Sequence, residues 1–157
     1  MQSFSRSLPM LLYRALDAVM PRFRKIFNEF GLTEQQWRVL RVLWEHDEIA
    51  FWELSDSTLI PAPSLVGVVD RLAKQGLVDR RRSAEDRRNV FVCATNEGSA
   101  LHRAVRPHVD KAYIQMCESI DADDWRELIE SLERIAALSP ETAIVDKAKN
   151  EKASIEG

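Results

Sequence analysis

Gly76-Leu77-Val78-Asp79-Arg80-Arg81-Arg82 … Asn89-Val90-Phe91-Val92-Cys93-Ala94-Thr95 interrupts the helical periodicity of the chain on either side of it. Its apolar residues come in two short bursts bounded by glycine and polar residues, the mark of two strands rather than a helix. The polar stretch from Ser83 to Arg88 then reads as the loop of a hairpin. Arginines crowd that hairpin: Arg80, Arg81 and Arg82 on the first strand, Arg87 and Arg88 in the loop.

Upstream of the hairpin the sequence reads as four helices. In residues 8–30, Leu8, Leu11, Leu12, Ala15, Leu16, Val19, Phe23, Ile26, Phe27 and Phe30 recur at three-and-four spacing. Pro9 suits a first turn, Pro21 is a candidate kink and Gly31 a natural stop. The apolar stripe is wide for a helix covering one neighbour, which points to burial against a second chain. Thr33 with Gln36 three residues on forms a capping box for a helix to about His46, with Trp37, Leu40, Leu43 and Trp44 on one side. A short helix is expected over residues 51–58. The turn Ile60-Pro61-Ala62-Pro63 restarts the chain, a further helix runs over residues 64–75, and Gly76 ends it.

Downstream, Thr95 caps a long helix over about residues 97–120, with Pro107 a candidate bend. Asp121 or Asp123 caps a last one that carries Trp125, Leu128, Ile129, Leu132 and Ile135 on one face. After Ser139-Pro140 the sequence is polar. Short helices around a tight turn, followed by a two-stranded wing, make a mainly α, winged helix-turn-helix fold with long N- and C-terminal helices left for dimerisation. The expected division is a dimerisation helix over 1–32, a DNA-binding lobe over 33–96, C-terminal dimerisation helices over 97–138 and a tail over 139–157.

Charge is distributed to match. The 157-residue chain carries a net charge of -3, yet the segment from Arg71 to Arg88 holds seven cations against three anions, leaving an acidic remainder. A basic patch on an acidic body is the footprint of a module that meets phosphate in one place. On the helix at 64–75, Leu65, Val69 and Leu72 fall on one face; Ser64, Gly67, Val68, Arg71 and Lys74 fall on or near the other. Short side chains at its start admit the backbone to the major groove, and cations toward its end meet phosphate. Ser64 and Ala62 suit base edges or a thymine methyl, and Arg71 suits a phosphate or a guanine. Arginines on a projecting loop suit the minor groove. Asp86 is placed to brace the loop by pairing with an arginine.

Gly76-Leu77-Val78-Asp79-Arg80 … Asp86-Arg87-Arg88 … Ala94-Thr95-Asn96-Glu97-Gly98 resembles the wing signature of the multiple-antibiotic-resistance regulator (MarR) family. Leu32-Thr33-Glu34-Gln35-Gln36-Trp37-Arg38-Val39-Leu40 and Pro63-Ser64-Leu65-Val66-Gly67 resemble the branch containing the repressor of the homoprotocatechuate-degradation operon. The likeness spans roughly residues 8–138. It implies a homodimer straddling a pseudo-palindromic operator in double-stranded DNA, usually to repress. By that resemblance Ser64, Val66, Gly67 and Arg71 read the major groove; the residue pattern itself adds Ala62 and Lys74 of the helix and Arg80, Arg82 and Arg87 of the hairpin to the DNA-binding set. Arg88 enters the minor groove, and Asp86 is the bracing acid. Val66 departs from a common threonine and so removes a hydroxyl, and Ala94 departs from a common leucine.

The resemblance also implies an effector, a small phenolic or aromatic acid bound between the dimerisation helices and the DNA-binding lobe. Arg24, Trp37, Arg38 and Arg41 fall near that junction: arginine binds a carboxylate bidentately and tryptophan covers a ring. Packing and surface ion pairs are the competing roles for these four, and packing is the role that fits Trp44 and Trp52.

An enzyme is not expected. His46, His102 and His108 lack metal-ligand spacing, and no nucleophile elbow, phosphate loop or dinucleotide fingerprint occurs. No cofactor is expected. Two cysteines, Cys93 and Cys117, make no disulfide framework, and Cys93 lies in an apolar run that suits burial more than thiolate chemistry. No apolar stretch approaches the ~20 residues of a membrane span, and Pro9, Arg14 and Asp17 interrupt any signal-peptide core, so a cytoplasmic chain is expected. Two other readings stay open: a winged-helix regulator answering a redox or metal signal, and a module whose basic wing docks an acidic protein.

Overall fold

The structure, a computed structural model, describes residues 3–82 and 90–138. After a 3-10 turn over Phe4–Arg6, the order is α1 (Leu8–Glu29), α2 (Glu34–Leu43), β1 (Ile49–Ala50), α3 (Phe51–Thr58), α4 (Ala62–Lys74), β2 (Val78–Arg82), β3 (Val90–Ala94), α5 (Asn96–Cys117) and α6 (Ala122–Ala136). The fold is mainly α with a small antiparallel sheet. Two compact units divide within α5, the first ending at Tyr113 and the second beginning at Ile114.

In the first unit the core forms where the amphipathic faces of α2, α3 and α4 meet the sheet. Val39, Leu40 and Leu43 of α2, Leu54 of α3, and Leu65, Val68, Val69 and Leu72 of α4 are all inaccessible to solvent, as are Val78, Val92 and Val105. Burying each side chain of this size contributes about 1.5–3 kcal/mol. The capping box holds as expected: Gln36 N donates to Thr33 Oγ1 at 3.2 Å, and Thr33 N donates to Gln36 Oε1 at 2.9 Å.

Several boundaries differ from expectation. Helix α2 stops at Leu43, with Trp44 as its C-cap, because the chain must turn to lay Ile49 and Ala50 against β3. That third strand, paired Ile49 to Val92 and Ala50 to Phe91, was not expected. Helix α4 starts two residues early, at Ala62, with Pro63 in the first turn, where its missing N–H leaves no hydrogen bond unmade. Ala62 is therefore helical and not part of a turn. Val68, expected near the outer face of α4, lies in the core. At 100° per residue the positions 65, 68, 69 and 72 form one stripe, and Val68 sits within it. Helix α5 ends at Cys117, three residues short of the expected limit, and both α1 and α5 run on through Pro21 and Pro107. Cys93 is buried and Cys117 half-buried.

Strand entry and exit are fastened together. Gly76 adopts φ +71°, the left-handed turn that closes α4, and Leu77 N donates to Leu72 O at 3.0 Å. Thr95 Oγ1 donates to Gly76 O at 2.6 Å and accepts from Gly98 N at 3.0 Å, so one hydroxyl joins the end of α4 to the start of α5. Between them β2 and β3 pair in register from Val78–Ala94 to Arg82–Val90.

The second unit holds α6, capped by Asp121, whose carboxylate accepts from Asp123 N at 2.9 Å. No α6 residue is buried; Leu128 and Ile129 are exposed although they belong to a continuous apolar face. Among the described residues, no helix is long and apolar enough to cross a membrane.

Candidate nucleic-acid interface and ligand cavity

Helix α4 turns the stripe opposite its buried one outward. Ala62, Ser64, Val66, Arg71 and Lys74 are exposed and Gly67 is half-exposed. The Arg71 side chain leans back along the helix, its Nη1 lying 3.5 Å from where a Cβ at position 67 would stand. On the adjoining strand Arg82 is exposed, and Arg81 approaches Glu48 at 3.9 Å. Arg80 differs from its expected place among the free cations. It is ion-paired with Asp70 of α4, and the pair clamps β2 to the outer edge of that helix. Strand alternation puts Arg80 and Arg82 on one face, and Arg80 is the one level with α4. Arg87, Arg88 and Asp86 lie outside the described residues.

Trp37 and Arg41 of α2 come together with Trp44, the C-cap of that helix, and with His102, Arg106, Val109 and Asp110 of α5 around a cavity of about 320 Å³. The aromatic walls are ordered by stacking. Trp44 and His102 lie face to face at 4.2 Å and 14°, Trp37 meets Trp44 edge-on at 5.3 Å, and Trp37 stacks on Phe27 at 4.7 Å. Trp44 Nε1 donates to Gly98 O at 3.1 Å, which fixes the ring. Arg106 Nε donates to Asp110 Oδ2 at a long 3.4 Å, and Arg41 pairs with Glu45 one turn on. Burial first, then the guanidinium groups of Arg106, Arg41 and Arg103, hold the His102 imidazole below its ordinary pKa, with Asp110 opposing them. The cavity is thus walled by aromatics, with the Arg41 and Arg106 guanidinium groups and the Asp110 carboxylate at its edge.

Of the four residues expected to hold a ligand, Trp37 and Arg41 line this cavity; Arg24 and Arg38 do not. Arg24 Nε donates to Glu34 Oε2 at 3.0 Å, and Arg38 Nη1 to Thr58 O at 3.1 Å. His102 and Arg106 were missed, although with Val109 they recur at helical spacing along α5. In the sequence the histidines lack metal-ligand spacing, and nothing local places them in an aromatic wall. Trp52, expected to pack, is 63% exposed, because the two turns of α3 direct Leu54 and Thr58 inward instead.

Residues 32–90 match the model of the MarR family. The homoprotocatechuate degradative operon repressor of Escherichia coli is 36% identical over 132 residues, 84% of this chain and 89% of that protein. The transcriptional regulator FarR of Neisseria gonorrhoeae is 38% identical over 112 residues, 71% of this chain and 77% of that one. A crystal structure of NadR in complex with 4-hydroxyphenylacetate superposes with a TM-score of 0.77 at 34% identity, covering 88% of this chain and 99% of NadR. A wing joined to a helix with a cationic outer end, in a chain this similar to known regulators along its length, has one reading: the chain belongs to the MarR family of DNA-binding transcription regulators.

Proposed function

We propose that the chain is a homodimeric repressor of an aromatic-compound catabolic operon, released from a pseudo-palindromic operator when a small aromatic acid binds the cavity between α2 and α5. The observation that carries this is the cavity's lining: three aromatic rings and two guanidinium groups, against the one carboxylate of Asp110, converge on one space. Its volume of about 320 Å³ suits a single-ring acid. The rings of Trp37, Trp44 and His102 cover the arene, and Arg41 and Arg106 meet the carboxylate by charge-assisted hydrogen bonds. The nature of the relatives supports the class of ligand, since one is named for homoprotocatechuate degradation and another holds 4-hydroxyphenylacetate.

On the DNA side, Ala62, Ser64, Val66 and Gly67 enter the major groove. Arg71, Lys74 and Arg82 meet phosphate, and Arg87 and Arg88 follow the minor groove with Asp86 bracing the loop. The exposed apolar faces of α1 (Leu8, Leu11 and Leu16) and α6 (Leu128 and Ile129) are the surfaces that a partner chain covers. A dimer that sets two α4 helices roughly 34 Å apart engages half-sites one helical turn from each other.

Calorimetry with 4-hydroxyphenylacetate and homoprotocatechuate as probes tests the effector. Binding is expected, with Arg41→Ala weakening it by more than about tenfold, the loss of a charged hydrogen bond of about 1.5–3 kcal/mol. The same acids should reduce a gel shift of the upstream DNA. No heat at millimolar concentrations of either acid would remove the effector reading and leave the DNA-binding one standing.

A further inference from the structure

The outward face of α4 is divided. Its first two turns expose Ala62, Pro63 and Val66, and Ser64 supplies the one side-chain hydrogen-bonding group there. Its last turns expose Arg71 and Lys74, and Asp70 is taken up by Arg80. Val66 is 45% exposed on that outward face. Such a surface suits a polyanion that also offers apolar spots between its charges. Duplex DNA has that character in its major groove, where each thymine carries a C5 methyl between the phosphate rows.

Polar readout is correspondingly poor at this end of the helix. A bidentate contact to guanine needs arginine or lysine, and one to adenine needs asparagine or glutamine; positions 62–67 hold none of them. Arg71 leans over Gly67 and is the first group along the face able to reach guanine. Building on the DNA-binding reading above, we infer that Ala62, Pro63 and Val66 select thymine through its methyl group, making apolar contact the main direct readout of each half-site.

The test begins by selecting sites from a random duplex library with the full-length protein. The selected duplex is then synthesised with deoxyuridine for thymine under each α4, which removes the methyl and keeps every hydrogen-bonding group. Affinity should fall by about fourfold for each contacted methyl, the equivalent of about 0.8 kcal/mol, and by roughly fifteenfold when one is removed in both half-sites. Deoxyuridine elsewhere in the duplex should change nothing. Val66→Ala, an exposed substitution in a helix that alanine favours, should narrow the ratio between the affinities for the thymine and deoxyuridine duplexes, and an unchanged ratio would overturn the part assigned to Val66. Equal affinity for the two duplexes, or selected sites with G·C pairs under α4, would overturn the methyl readout while DNA binding stood. A library that shows no enrichment and no shift in dilute buffer would overturn the DNA-binding reading itself, and the inference with it.

Discussion

Leu59 is the residue most at odds with its local conformation. It caps α3 in the left-handed region at φ +52°, where a side chain is crowded by the backbone, and it is 83% exposed. Its side chain contributes little burial to offset that strain. Leu59→Gly should stabilise the fold by about 1 kcal/mol and raise the thermal midpoint by about 2–4 °C. A lowered midpoint in scanning calorimetry would mean that Leu59 makes contacts which outweigh the strain. His102 is the residue whose chemistry depends most on its surroundings. Because burial and the nearby arginines lower its pKa on folding, the unfolded chain takes up a proton before the folded one does. Its contribution to stability is therefore complete above the ordinary histidine value of about 6.5 and is lost as pH falls through the folded value. Urea midpoints between pH 7.5 and 5.5 should drop more steeply for the wild type than for His102→Gln, a difference that cancels the other two histidines. An aromatic carboxylate in the cavity should reverse the shift, so the NMR titration midpoint of the His102 ring should rise on adding 4-hydroxyphenylacetate.

Between elements, the decisive contact is the Arg80–Asp70 pair that fastens the wing to the recognition helix. Both side chains are substantially exposed, so the pair contributes no more than about 1 kcal/mol to stability. Its larger effect, on the DNA-binding reading proposed above, is on charge: it occupies one guanidinium of the basic face with a carboxylate. Asp70→Ala should cost little stability, bind DNA more tightly and less selectively, and steepen the dependence of log affinity on log salt. One arginine freed in each subunit of a dimer adds up to about two phosphate contacts, each worth about 0.9 in that slope. An unchanged slope would show that Arg80 is held by more than Asp70. This pair also marks where the sequence stopped being legible. The bounds of α3, the capping box at Thr33, the β2–β3 hairpin and the Asp121 cap depend on local spacing, and the structure has them as spacing dictates. Arg80–Asp70 and the β1–β3 pairing depend on which elements meet in space. Two residues are too few to show a strand period, and nothing in the alternation of β2 distinguishes an arginine facing a carboxylate from one facing phosphate. The cavity was half-legible for the same reason. Trp37 and Arg41 share a face of α2, whereas His102 and Arg106 stand more than 60 residues away on α5.

At the scale of the whole molecule the question is how a ligand in the cavity reaches the DNA. An acidic body with a basic face orients the protein toward a polyanion, but one small anion in each cavity changes that field only slightly. On the proposed function, release needs a mechanical route, and α2 is placed to provide one, because it lines the cavity on one side and packs on α4 with the other. The polar link across that contact is specific: Gln36 Nε2 donates to Gln75 Oε1 at 3.2 Å, tying the first turn of α2 to the C-cap of the recognition helix. Gln36 also closes the capping box at Thr33, so any shift of α2 on ligand binding would be expected to act on its own N-terminus and on α4 together. Binding free energies must then couple reciprocally: if the acid weakens DNA binding by some factor, operator DNA weakens acid binding by the same factor, commonly five- to 150-fold. Gln75→Ala removes the link from its exposed end and leaves the capping box whole. This variant should bind the acid alone and the DNA alone as wild type does, while the factor between them falls toward one. Measuring both affinities with and without the other ligand checks it in full. A coupling factor unchanged in Gln75→Ala would move the route from this hydrogen bond to the apolar packing of α2 on α4.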